Sequence, residues 1–256
     1  MNETENDNRA RARYRKRGIF PNPDDNRKKH LNDLSHRLIP SLSFYLFAII
    51  AGFVFGVALL LDSKALVVLT LALLPFMGPF WGMALSCTSG SFSFFFKSFL
   101  KFLLAGGLFV MCAFSVGGIG RLHNQLSAET IQYFSSVQGL PMITVVICAF
   151  LTSIFISGKS DQLPLALSNG AMFGILLPFG IAGYLFGLQN GLPLSGAIQA
   201  GLTYSVIGIA ASILGFLFRR AFSPRAVSFL MILAAFSVCS LFLLDYFNLI
   251  QLDFSE

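Results

Sequence analysis

Seven runs of apolar residues alternate with short polar segments along the chain, at 39–61, 66–86, 102–120, 140–157, 163–187, 193–218 and 226–247. Each comes close to the roughly 20 residues a helix needs to cross the hydrocarbon core of a bilayer. Backbone N–H and C=O groups cannot stay unpaired in lipid, so all seven are expected to be helical. The pattern predicts an all-α, polytopic membrane bundle over residues 39–250, behind a polar segment over 1–38. Pro141 and Pro193 sit at the starts of runs four and six, where a proline needs no N–H partner.

Two runs carry residues that a plain helix would avoid. Run two contains Leu73-Leu74-Pro75-Phe76-Met77-Gly78-Pro79-Phe80-Trp81-Gly82, and run five contains Leu176-Leu177-Pro178-Phe179-Gly180. Proline lacks the N–H and its ring clashes with the preceding turn, at about 3 kcal/mol in a helix interior. Both motifs fall in the middle span of a group of three. Three spans per group is an odd number, so the second group enters the membrane from the opposite side. Spans 1–3 and 4–6 are therefore expected to be inverted-topology repeats with proline-broken helices 2 and 5. Paired interruptions of this kind point to a binding site near the midplane, where freed backbone groups face a cavity. The candidate lining residues are Pro75, Gly78, Pro79, Pro178 and Gly180, with Asn169, Thr203 and Tyr204 as the polar side chains expected nearby. The simpler alternative is that the prolines are kinks that serve packing only.

Other chemistry is sparse. Asp62, Glu129, Asp161 and Asp245 lie at span ends or in loops, and no charged residue falls near a span centre. A buried charge is the usual mark of a proton or ion relay, so a proton-driven pump is not favoured. No nucleophile, phosphate-loop or metal spacing is evident, and the chain is not expected to be an enzyme or to carry a cofactor or metal. Cys87, Cys112, Cys148 and Cys239 are scattered and read as small apolar fillers. Small residues four apart, such as Gly52/Gly56, Gly78/Gly82, Gly183/Gly187 and Ala211/Gly215, permit close helix approach. They suit a compact bundle and allow a homo-oligomer. Bulk is expected to hurt more at Gly78 and Gly180, beside the breaks, than at Gly52 or Gly215.

Composition agrees: 55% of residues are hydrophobic and 12% charged, whereas a soluble domain carries about 25% charged residues. Ten of the eighteen Lys and Arg lie in residues 1–38. That segment is expected to be a disordered cytoplasmic tail. Arg11-Ala12-Arg13-Tyr14-Arg15-Lys16-Arg17 has a nucleic-acid-binding flavour, but its plainer role is to set topology and to adhere to anionic lipid headgroups. Nucleic acid is not an expected partner. With seven spans and the tail inside, Lys97, Lys101, Lys159, Arg219, Arg220 and Arg225 also fall inside, and only Lys64 and Arg121 fall outside. This asymmetry predicts an inner (plasma) membrane protein with its N-terminus in the cytoplasm and its C-terminus outside. Ser91–Lys97 is expected to be an interfacial turn with its phenylalanines dipping into lipid.

With these motifs in place, the chain resembles a family of bacterial and archaeal membrane proteins, the uncharacterised hydrophobic domain proteins (domain of unknown function 389). The family's S-P-L-M-G-P-type segment corresponds to Leu74-Pro75-Phe76-Met77-Gly78-Pro79, followed by Trp81-Gly82-Met83. Its later half corresponds to Ala166-Leu167-Ser168-Asn169-Gly170, Leu176-Leu177-Pro178-Phe179 and Ala182-Gly183-Tyr184. Leu74 replaces the family's serine and Phe179 its second proline, which marks a divergent member over roughly residues 45–218. The resemblance implies the helical architecture and brings no settled activity. The functional expectation is a transporter or channel for a small solute. The alternative is a non-transporting membrane scaffold or assembly protein.

Overall fold

The computed structural model describes residues 38, 40–74, 78–123, 131, 135–157, 165–188, 194–219 and 226–253. Eight helices stand among them: α1 (Leu42–Leu60), α2 (Lys64–Leu73), α3 (Gly78–Ser89), α4 (Phe92–His123), α5 (Gly139–Ile156), α6 (Leu165–Leu188), α7 (Leu194–Phe218) and α8 (Ala226–Asp253). Six are long and apolar enough to span a bilayer alone. The pair α2 and α3, bent by 56° across the break between them, makes a seventh if it counts as one span. The chain is an all-α, multi-pass membrane protein. Most of the basic tail, and the Glu129 loop, lie outside the described residues.

α6 is the central post. Of its apolar 18-residue window 83% is buried, against 11% for α8, which lies at the edge on α3 and α7. Around α6, α1 packs on α2 and α4, α3 on α4 and α7, and α5 on α6 and α7, while α4 and α7 both lean on α6. Trp81, Tyr184, Tyr204, Phe55, Phe80, Phe109 and Phe216 are the largest buried side chains. The outer surface is apolar as well, with Leu42, Val68, Leu140, Phe186, Phe229 and Leu241 all exposed. Such a continuous apolar exterior suits lipid as its solvent.

Three expectations need correction. Ser91–Lys97 is not an interfacial turn: helix α4 starts at Phe92 and continues unbroken to His123. Its 32 residues cover about 48 Å at 1.5 Å per residue, well beyond a hydrocarbon core of about 30 Å. The helix is therefore long enough for its first turns to extend past the lipid core, with Lys97 and Lys101 snorkelling along their stems. Phe92, Phe95 and Phe99 stack along one face of this extension, at 6.4 and 6.3 Å between ring centroids. Secondly, helix 5 is not broken. Pro178 lies inside α6, which runs from Leu165 to Leu188. The ring removes one bond, the one Gly174 would have accepted, and the buried surroundings hold the remaining turns together. Of spans two and five, only span two is interrupted. Thirdly, Leu38, placed in the tail by composition, is buried in the core, and its carbonyl lies 2.8 Å from where a Cβ on Gly78 would stand.

Candidate functional site

The interruption in span two is the place where backbone groups must find new partners. α2 begins at Ser63, whose Oγ accepts from the Leu66 N–H at 3.4 Å. It ends at Leu74, whose N–H donates to the Thr70 carbonyl at 3.0 Å. The next rung of the ladder would run from residue 75 to the Leu71 carbonyl. Pro75 has no N–H, so that carbonyl is left over. Pro75 itself lies outside the described residues. Asn169, on the first turns of α6, supplies the missing donor: its Nδ2 donates to the Leu71 carbonyl at 3.3 Å. A carbonyl can only accept, so the amide must turn its NH₂ this way. The amide's other end, Oδ1, is buried with no partner.

The residue before Asn169 holds the other side of the break. Ser168, fully buried, accepts from the Trp81 indole N–H at 3.2 Å. Trp81 stands in α3 with Phe80 edge-on at 5.1 Å, and Phe80 meets Phe102 of α4 at 5.6 Å. Gly78 and Pro79 are buried in the same helix. Two consecutive residues of α6 thus grip both halves of the broken span. Sequence reasoning missed Ser168, Trp81 and the Leu71 carbonyl. The carbonyl was open to discovery by counting four residues back from Pro75.

The echo in span five builds no matching site. Pro178 and Gly180 are buried in protein. A Cβ on Gly180 would stand 2.6 Å from ring atoms of both Phe55 and Phe109, which stack at 5.6 Å. Gly180 makes room for that pair. Thr203 is buried on α7, and Tyr204 bonds to Gln138 at the start of α5, so Asn169 is the polar candidate that a hydrogen bond ties to the break. The glycines beside the breaks and those at ordinary crossings are similarly crowded: a Cβ on Gly78 would lie 2.8 Å from the Leu38 carbonyl. A Cβ on Gly52 would lie 2.5 Å from the Phe109 carbonyl, and one on Gly215 2.6 Å from the Phe150 carbonyl. Backbone yields less readily than the rings at Gly180.

A crevice of about 570 Å³ opens elsewhere, between α4, α6 and the start of α7. Its walls include Val110, Phe114, Phe179, Ala182, Phe186 and Ile198, and they are apolar throughout. It contains nothing that would bind a polar solute. Between α3, α5, α6 and α7 the packing is close: a Cβ on Gly208 would meet Phe80, Ile175 and Val145 at 3.1–3.2 Å. The four cysteines are free thiols. No family model, no curated protein and no solved structure matches the chain.

Proposed function

We propose that this membrane protein is a transporter or channel for a small solute, built from two inverted halves and working at the break in span two. The observation that carries the reading is Asn169: a side-chain amide inside the membrane bundle, bonded to an orphaned backbone carbonyl and with its own oxygen buried and unpaired. Polar groups without partners are costly in such a setting, and membrane proteins keep them where a solute or a moving element meets them.

The packing scheme supports the inverted halves. Exchange of α1 with α5, of the pair α2 and α3 with α6, and of α4 with α7 carries each major contact into another. The contact of α1 with α4 becomes that of α5 with α7, and the contact of α4 with α6 becomes that of α7 with α3. The suspected kinship with the uncharacterised hydrophobic domain family suits the same architecture.

A non-transporting scaffold is the second reading, favoured by the aromatic and aliphatic packing around α3. Purified protein in liposomes separates the two. Osmotic swelling and ion-flux assays across a panel of monovalent ions, small polyols and amino acids should show a flux that Asn169→Leu abolishes. Sealed vesicles throughout the panel, with correctly folded protein, would favour the scaffold.

A further inference from the structure

We propose that Ser168 and Asn169 form a two-residue clamp in which Ser168 anchors α3 permanently while Asn169 is a releasable latch on α2. The clamp does not depend on whether a solute is carried.

The two halves of span two are held very differently. In α3, eleven of the twelve residues are buried, including Phe80 and Trp81. In α2 only Thr70 of ten is buried. Removal of a single polar bond cannot free a helix like α3, because its apolar packing would remain. It can matter greatly for α2, which has little else to hold it on the α6 side: its main neighbour is α1.

The latch bond is also peculiar to Asn169. The Leu71 carbonyl needs a donor from outside its own helix because Pro75 offers none. In lipid the alternative is an unpaired carbonyl, so the bond has real consequence. Yet the latch is incomplete, since Oδ1 gains nothing in this arrangement. An arrangement with α2 displaced, in which the amide meets water or another donor, competes with the one described. That is the condition for a two-state element: two arrangements separated by a modest gap.

Amide hydrogen exchange on the full chain in lipid nanodiscs tests the clamp. Asn169→Ala and the near-isosteric Asn169→Leu should each speed exchange of the α2 amides about three- to ten-fold, as expected for one lost hydrogen bond of ordinary strength. Exchange in α3 should stay unchanged, which also reports an intact fold. Unchanged α2 exchange in both single variants would overturn the proposal. So would equal acceleration in α2 and α3.

Discussion

The Tyr204 hydroxyl meets both backbone groups of Gln138: it accepts from the Gln138 N–H at 2.7 Å and donates to the Gln138 carbonyl at 3.2 Å. Gln138 is the N-cap of α5 and offers no side-chain cap of its own. A phenol from α7 thus closes the start of α5 and ties the two helices together. Tyr204→Phe keeps the ring and removes both bonds. It should lower stability by about 1–3 kcal/mol, the usual cost of an unmade buried hydrogen bond. Reversible unfolding in mixed micelles measures this. No loss would mean that water readily replaces the phenol there.

Close helix crossings give a second expectation. Gly52→Ala and Gly215→Ala each push a methyl against a backbone carbonyl. Each should destabilise by about 1–3 kcal/mol, as overpacking does. Gly107 and Gly118, where an added methyl would meet nothing within 4 Å, are the controls. Alanine there should be neutral or stabilise by up to about 1 kcal/mol, since glycine weakens a helix. Thermal unfolding of the four variants side by side checks the ranking.

These glycines also mark where sequence stops being informative. Four-residue spacing showed that helices could approach at Gly52 and Gly215, but not that a carbonyl lies across each one. The spans were legible because hydropathy responds to lipid directly. The start of α4 was not, because Lys97 and Lys101 dilute its apolar run although a helix continues through them. The Pro75 and Pro178 motifs look alike in sequence, yet α2 stops at Leu73 while α6 runs on through Pro178. Whether a proline kinks or ends a helix depends on the neighbours that hold the next turn, and Pro178 is enclosed by the bundle. Asn169 was visible as a polar residue within a span. Its partner was not, because no local rule says that span five lies beside span two.

The indole bond to α6 yields a third test. Trp81→Phe and Ser168→Ala each break the bond between Trp81 and Ser168. Trp81→Phe should cost more, since it also leaves a void among fully buried neighbours. The double variant should be less destabilised than the sum of the two, by about 0.5–1.5 kcal/mol, because the shared bond is lost only once. Strict additivity in a double-mutant cycle would show that the bond contributes nothing net.

The last prediction concerns how α2 and α3 enter the membrane. At 1.5 Å per residue the ten residues of α2 and the twelve of α3 reach about 33 Å together, enough for one crossing of a core of about 30 Å. The same two helices, bent by 56°, could instead enter and leave on one side. The two arrangements place every later loop on opposite sides. If the pair crosses, Lys97, Lys101, Lys159, Arg219, Arg220 and Arg225 lie with the basic tail, and only Lys64 and Arg121 face away from it. If it re-enters, that assignment inverts, leaving Arg121 alone with the tail and seven basic residues opposite. Positive charge is retained on the cytoplasmic side, so the crossing arrangement is expected. A reporter active only outside the cytoplasm should work when fused after Glu256 and fail when placed between Phe218 and Ala226. The reverse pair of results would make span two a re-entrant hairpin. The repeat of three and three would then lose its odd number of crossings, and with it the inversion of the second half.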